Sequence, residues 1–274
     1  MARIEEVADA PGPRRGGKKP RPQQPAAVKY YLVLYNLASA LGWGCILYTL
    51  LAHLRGSLPS SSLQRAAEAA STAQWSARLP ASLTTLAPVL ARATTAHARV
   101  GRATALVQTC AALEVAHALL GWVRSPLGTV AMQVASRYYA VWGVAWWFPG
   151  TRTNPLYASM VLAWSLTEVV RYLFYALTLL GSEPRPLLWV RYTAFYALYP
   201  LGAGSEAFLI WSTLPWGVPP YAWAPHDVLR AALFGVWWPS LYVLYTHMMK
   251  QRRRVLGKAR DVDEDPSRAR TKTA

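Results

Sequence analysis

Long apolar blocks with very few charges occupy the chain between Lys29 and Lys250, and they constrain its fold more than any other feature. A helix needs roughly 20 apolar residues to cross a bilayer core that is about 30 Å thick. Six blocks reach about this length. The sequence therefore predicts an all-α, polytopic membrane bundle of about six transmembrane helices, at residues 30–52, 104–123, 127–148, 156–180, 187–213 and 228–249.

The basic residues are concentrated at the two ends of the chain. The sequence has 29 Lys and Arg against 13 Asp and Glu, with seven basic residues in 1–29 and nine in 250–274. Beside long apolar segments, such ends favour the positive-inside rule and attraction to anionic lipid over nucleic-acid binding. An even number of spans then places both tails, 1–29 and 251–274, in the cytosol.

The segments outside the spans carry little sign of a further domain. The first 28 residues are polar and rich in Pro and Gly, which predicts a disordered tail and no cleavable signal peptide. Residues 55–103 are predicted to be a long loop, because they begin with the loop-like RGSLPSSS. The later LTTLAPVLARA could be a re-entrant or interfacial piece, but its 11 residues, interrupted by Pro88, are too few to span a bilayer. No internal repeat is visible, so an inverted-repeat transporter gains no support.

The chain offers little for a disulfide or a metal site. Cys45 and Cys110 both lie inside apolar segments, which leaves no disulfide framework and no zinc motif. Glu114 and His117 have the Glu-x-x-His spacing of half a di-iron site, but such a bundle needs this motif twice. We therefore expect no bound metal.

Ionisable side chains inside the predicted spans are the first candidates for function, because they are costly in lipid and usually face the bundle interior. Glu168 and Arg171 share one helix face, so they either neutralise each other or belong to a site. Arg137 and Arg191 lie close to predicted span ends and could instead reach the interface. The full set is Glu114, His117, Arg137, Glu168, Arg171, Arg191 and Glu206.

The fifth span contains LYPLGAGSE, an unusual concentration of special residues. Glu206 has no basic residue three or four positions away. Pro200 removes a backbone N–H, while Gly202 and Gly204 allow close approach to the backbone. Tyr199 lies seven residues before Glu206, so both point to nearly the same face, about 10 Å apart along a straight axis. The alternative is a packing helix whose carboxylate pairs with an arginine from another helix.

LYPLGAGSE, preceded by RYTAFYA, resembles the signature of the 3-hydroxyacyl-CoA dehydratase family, the protein tyrosine phosphatase-like membrane proteins. The resemblance covers most of residues 30–250 and includes polar residues within spans. Neither cysteine begins the Cys-x5-Arg loop that phosphatase chemistry uses. Four further segments are similar to the family, in its order: YNLASALGWG, QTCAALEVAHALLGWVRSP, QVASRYYAVWGV and WSLTEVVRYLFY.

The resemblance implies a hydro-lyase of the endoplasmic reticulum membrane that needs no cofactor. Its substrate would be a (3R)-3-hydroxyacyl-CoA, which loses water to give the trans-2-enoyl-CoA in the third step of very-long-chain fatty acid elongation. The condensing enzyme and the reductases of that cycle would be its partners. The family's catalytic Tyr and Glu match Tyr199 and Glu206 by motif. Supporting or substrate-binding roles are expected for Glu114, His117, Arg137, Glu168, Arg171, Arg191, Tyr192, Gly202 and Gly204.

Dehydration requires a base for the C2 proton and an acid for the departing C3 hydroxyl. We assign the C2 proton to Glu206 and the hydroxyl to Tyr199; the reversed roles, or Glu206 performing both, remain open. Because C2 and C3 are adjacent whereas the two residues are about 10 Å apart on a straight helix, we expect a bend or local unwinding near Pro200–Gly204.

The substrate also suggests a basic mouth for the CoA phosphates at the cytosolic interface. Arg124, Arg185 and Arg191 lie near the cytosolic ends of spans in the predicted topology. The competing class is a non-enzymatic membrane protein, either a scaffold of the elongation machinery or a small-solute transporter. A scaffold should tolerate Glu206→Gln and Tyr199→Phe, whereas an acid–base enzyme should not.

Overall fold

The computed structural model describes residues 25–123 and 125–264, and helices account for all the regular structure in these ranges. Residues 1–24 and 265–274 and Arg124, on which the predictions for the tails and part of the basic mouth depend, lie outside the described residues. The α-helices are α1 (Ala26–Arg55), α2 (Ser62–Arg78), α3 (Ala87–Ala93), α4 (Ala96–Cys110), α5 (Ala112–Leu119), α6 (Leu127–Tyr138), α7 (Pro149–Arg152), α8 (Leu156–Leu179), α9 (Arg185–Arg191), α10 (Phe195–Trp211) and α11 (Pro225–Glu264).

Within residues 25–123 and 125–264, three helices are long and apolar enough to cross a membrane. They are α1, α8 and the Pro225–Gly257 part of α11. This confirms an all-helical fold with membrane-spanning character. The other three predicted spans coincide with pairs of shorter helices: α4 with α5, α6 with a π-helix at Tyr139–Trp146, and α9 with α10. The count of six spans stays a prediction.

The predicted local unwinding near Pro200–Gly204 is wrong, whereas the other form of that prediction, a bend of the helix, stays a prediction. The α10 helix continues through this stretch, and the interruption lies upstream, at residues 192–194. Pro200 cannot donate to the carbonyl of Tyr196, but the Tyr245 hydroxyl of α11 lies 3.4 Å from that oxygen and donates to it. Both glycines of the stretch keep negative φ angles. A partner from another helix thus replaces the lost hydrogen bond, and the helix persists.

Residues 55–103 are helical over most of their length, although the sequence suggested a loop. The α2 helix begins with a capping box, in which Ser61 and Gln64 each accept a backbone N–H of the other. A 3₁₀ helix at Ala81–Leu86 then leads into α3, which packs against α2 and α1. The Arg92 guanidinium donates to the Leu54 carbonyl at 2.7 Å, which ties this segment to the end of α1.

The α8 helix lies at the centre of the bundle, with α1 and α10 packed along it. Trp43 and Leu50 of α1 and Met160 and Trp164 of α8 are almost fully buried in one apolar core, and Leu209 of α10 joins them. These side chains recur at an interval of seven residues in α1 and four in α8, as expected for helices that bury one face. The polar residues of α8 face the same interior, and this arrangement positions the site described next.

Candidate active site

Glu206 is held on α10 by a donor from α8. The two helices run antiparallel, because the Ser159 and Ser205 hydroxyls meet at 2.7 Å while Gly202 lies opposite Ala163, nearer the end of α8. At this contact the Trp164 indole N–H donates to one carboxyl oxygen of Glu206 at 2.6 Å. The alternative drawn from the sequence, in which an arginine pairs with this carboxylate, does not hold among the described residues.

Gly202 and Gly204 have different surroundings. A Cβ atom built on Gly202 would lie 3.3 Å from the Cβ of Ala163 and 3.8 Å from the Trp164 ring, so a glycine is needed for this close approach. A Cβ built on Gly204 would meet no atom within 4 Å. Only Gly202 therefore brings the helices together, whereas Gly204 leaves open space beside α10.

Tyr199 lies on the same face of α10 as Gly202 and Glu206, at intervals of three and four residues. Its side chain is half-buried, as is that of Glu206. The phenol is near enough to interact electrostatically with the carboxylate. Within the described part of the chain, no hydrogen-bond partner is recorded for its hydroxyl. Phenol and carboxyl thus lie on one face of α10, on either side of Gly202.

Four of the predicted supporting residues form one ion-paired network beside this face. Arg137 of α6 pairs with Glu168, whose second oxygen accepts from Arg171 at 2.7 Å. Arg171 also binds Glu114 of α5 through two nitrogens, at 3.0 and 2.7 Å. The Tyr172 hydroxyl donates to Glu114. Two carboxylates and two guanidinium groups therefore neutralise each other while linking α5, α6 and α8.

The network reaches Glu206 through Trp164. The Arg137 guanidinium carbon lies 5.1 Å from the centre of the Trp164 ring, a geometry in which cation and aromatic face attract each other. The same indole donates to Glu206. Within the described residues, Glu206 has no ion pair of its own, so it differs from Glu168, which has two.

His117 is buried in an aromatic cluster instead of in the ion-paired network. Its Nε2 atom lies 3.0 Å from the Tyr31 hydroxyl, and its ring stacks on that of Trp122 at 5.8 Å. The Tyr35 ring meets it edge-on at 4.9 Å. No group of three or more metal-ligating side chains occurs among the described residues. The contacts of His117 are those of a packing residue between α1 and α5.

Arg191 and Tyr192 lie at the junction of α9 and α10. The Arg191 guanidinium covers the rings of Phe174 and Tyr175 at 4.6 and 4.7 Å, and donates to the Tyr175 hydroxyl at 3.2 Å. Tyr192 is buried where the helix is interrupted. Their recorded contacts are with α8 and with each other, not with Glu206. These two residues thus anchor α9, and a contribution to the basic mouth stays a prediction.

A sequence model of the family described as protein tyrosine phosphatase-like protein, PTPLA, matches residues 108–258, which include every helix that contributes to this site except α1. The chain belongs to the PTPLA family. The resemblance noted in the sequence is thereby confirmed. The match includes both Tyr199 and Glu206.

Curated PTPLA relatives are similar over most of their own length. A probable very-long-chain (3R)-3-hydroxyacyl-CoA dehydratase of Schizosaccharomyces pombe is 44% identical over 154 residues, 56% of this chain and 73% of the relative. The dehydratase PASTICCINO 2A of Oryza sativa subsp. japonica is 36% identical over 60% of this chain and 80% of its own. The dehydratase hpo-8 of Caenorhabditis elegans is 32% identical over 84% and 96%. No solved structure matches the chain.

Trp164 is the PTPLA site residue that sequence reasoning missed. It lies in WSLTEVVRYLFY, four residues before Glu168 and therefore on the same helix face. That spacing could have indicated that Trp164 faces the polar interior. The bond from Trp164 to Glu206 could not be predicted from spacing, because Glu206 is 42 residues away and meets Trp164 only through helix packing.

Proposed function

We propose that this chain is a very-long-chain (3R)-3-hydroxyacyl-CoA dehydratase that converts its substrate to the trans-2-enoyl-CoA in the third step of fatty acid elongation. Relatives at 32–44% identity carry this dehydratase name. The observation that carries the mechanism is the face of α10 on which Tyr199 and Glu206 flank Gly202. An acid and a base on one surface are what elimination of water requires.

Glu206 and Tyr199 divide the reaction between them. The Glu206 carboxylate takes a proton from C2, and the electron pair of that C–H bond is held on the thioester as an enolate until it forms the C2–C3 double bond with loss of the C3–O bond. The C3–O bond then breaks, and Tyr199 protonates the departing hydroxyl, so that water leaves. Proton return from Glu206 to the Tyr199 oxygen resets the pair. The reaction has no net redox change, so atoms and charges balance without a cofactor.

The continuous α10 helix limits how the two residues reach adjacent carbons. Their Cα atoms are about 10 Å apart along the axis of a regular helix. The reacting carbons therefore lie between the two side chains, which converge on them from opposite ends, or one of the two residues acts through a water molecule.

The membrane location of the site suits the substrate. A very long acyl tail is accommodated between apolar helices, while CoA phosphates require basic groups at the surface. We place the protein in the endoplasmic reticulum membrane with six spans and both termini in the cytosol, next to the other elongation enzymes. Protease accessibility of both tails in sealed microsomes tests this topology, and protection of one tail alone would contradict it.

Turnover by the purified protein tests the activity directly. Wild-type protein in detergent or nanodiscs should convert a (3R)-3-hydroxyacyl-CoA to the enoyl-CoA, and the (3S) enantiomer is the control substrate. Glu206→Gln should remain folded and lose the activity. A scaffold or transporter would leave the (3R) substrate unchanged. An active Glu206→Gln variant, within a few-fold of wild type, would remove Glu206 from the mechanism.

A further inference from the structure

Trp164 is the side chain that joins Glu206 to the rest of the bundle. Its indole is 3% exposed and makes contact with three other helices. The Trp43 ring of α1 meets it edge-on at 6.5 Å, the Arg137 guanidinium of α6 covers it at 5.1 Å, and Gly202 of α10 packs against its edge. With these contacts on different sides, the indole has little freedom to rotate, and the direction of its N–H is fixed.

We infer that Trp164 is a positioning residue for the reaction proposed above, on which this inference rests. Its N–H holds one carboxyl oxygen of Glu206, and the other oxygen is directed at the C2 proton. The bond from Trp164 to Glu206 is 2.6 Å long. No hydrogen-bond donor to the second oxygen is recorded among the described residues. One oxygen is thus occupied by the protein, and the other is left for the substrate.

The chemistry of the indole explains why a tryptophan suits this place better than an arginine. An indole has a single N–H donor and no charge, so it orients a carboxylate without neutralising it. A guanidinium can bind both oxygens at once. Arg171 does this to Glu114, which is held at both oxygens within the ion-paired network. A carboxylate held in that way would be a poor proton acceptor, whereas Glu206 keeps one oxygen that no protein donor among the described residues occupies.

Positioning at this precision matters for the rate of C2–H cleavage. A base must come within about 2.6–3.2 Å of the atom whose proton it takes. Misplacement by about 1 Å can reduce a rate by about 10²-fold. Without the indole N–H, rotation of the Glu206 side chain would move the basic oxygen by such distances. The C2 proton would then be transferred in only a fraction of encounters.

The test removes the indole N–H in two variants, of which the second also preserves the shape of the ring. In Trp164→Phe the donor and part of the ring are lost. Replacement of Trp164 by 3-benzothienylalanine keeps a bicyclic ring and substitutes sulfur for the N–H group. We expect both variants to lower kcat by about 10²-fold, with KM changed by no more than a few-fold. A primary isotope effect on substrate deuterated at C2 should increase, because proton transfer becomes slower than the other steps.

The matched control is Trp223→Phe. It loses an indole N–H in the same way, but that N–H donates to the Val218 carbonyl at 2.8 Å, and the bond between Trp164 and Glu206 is kept. We expect kcat within a few-fold of wild type and an unchanged isotope effect. Thermal unfolding of each variant, measured in the same detergent, separates loss of folded protein from loss of catalysis.

The outcomes separate this inference from the proposed function. If wild-type protein shows no dehydration, the proposed function fails and this inference fails with it. If wild type is active, Glu206→Gln is inactive and the benzothienylalanine variant keeps its kcat and isotope effect, the function stands and the role of Trp164 is refuted. Equal losses in Trp223→Phe and the benzothienylalanine variant, with no change in isotope effect, would also refute it. If Trp164→Phe fails to fold, the benzothienylalanine variant decides.

Discussion

Two carboxyl groups in the same bundle are held in opposite ways. Glu168 is 2% exposed and receives a guanidinium on each oxygen, from Arg137 and Arg171. Glu206 is half-buried and receives one uncharged donor, the indole of Trp164. The first arrangement cancels charge and connects helices. The second leaves one oxygen without a protein donor among the described residues, so we infer that the same residue type serves structure in one place and chemistry in the other.

The free-energy cost of burying each carboxyl group explains why Glu168 and Glu206 have different roles. Charged groups in an apolar interior are tolerated when they are paired and hydrogen-bonded, and removal of one partner leaves an uncompensated charge. The ion-paired network of Glu114, Arg137, Glu168 and Arg171 meets this condition with two charges of each sign. Glu206 relies on partial exposure and on one donated N–H. A carboxylate in that state is costly for the fold, which is typical of functional groups in membranes.

Replacing each carboxylate by its amide is the most direct test of the difference between Glu168 and Glu206. We expect Glu206→Gln to keep its thermal stability. Its rate of dehydration should fall by at least the factor that is typical of an acid–base residue, which is about 10²–10⁴-fold. We expect Glu168→Gln to lose about 3–5 kcal/mol of folding free energy, because Arg137 and Arg171 are left with excess positive charge. Turnover and thermal unfolding of both purified variants are the measurements. Two variants that were equally stable and equally inactive would contradict the division of roles.

Removal of the Tyr199 hydroxyl tests the proposed acid of the site. Tyr199→Phe should lower kcat by about 10²–10⁴-fold with little change in stability, because no protein hydrogen bond of this hydroxyl is recorded among the described residues. Tyr196→Phe is the matched control, since this neighbour on α10 is exposed and packs against Phe195 and Tyr245. Comparable losses in both variants would show that the effect is not specific to the proposed acid.

Features set by local spacing could be predicted from the sequence. The predicted spans coincide with helices or helix pairs, and the pairing of Glu168 with Arg171 follows from three-residue spacing. Contacts between helices could not be predicted: Arg137 meets Glu168, and Trp164 meets Glu206, only after packing. One prediction from the local sequence also failed, because contacts between helices had a larger effect than the local preference of the backbone.

That failure concerns Pro200. Its missing N–H predicted a break in the helix, yet the carbonyl that it leaves without a partner accepts the Tyr245 hydroxyl from α11. The observed interruption, at residues 192–194, has no proline in it. Sequence spacing alone therefore identified the helix and the two candidate catalytic residues, but not where the helix breaks or which donor holds Glu206.

The smallest expected effect tests the helix contact on which the whole arrangement depends. In Gly202→Ala the new Cβ would lie 3.3 Å from the Cβ of Ala163, so α10 and α8 must separate by a few tenths of an ångström. This shift lengthens the bond between Trp164 and Glu206, and we expect kcat to fall by up to about tenfold, a fraction of the about 10²-fold cost of a 1 Å misplacement.

Gly204→Ala is its control, because the same atom there meets nothing within 4 Å. Alanine is also the better helix former by about 1 kcal/mol, so this variant should be as stable as wild type or more so. Adding Ala163→Gly to Gly202→Ala removes the opposing methyl group and should restore much of the lost rate. Equal activity of the Gly202→Ala and Gly204→Ala variants, or no recovery in the double variant, would show that close packing of α8 on α10 does not set the geometry of Glu206.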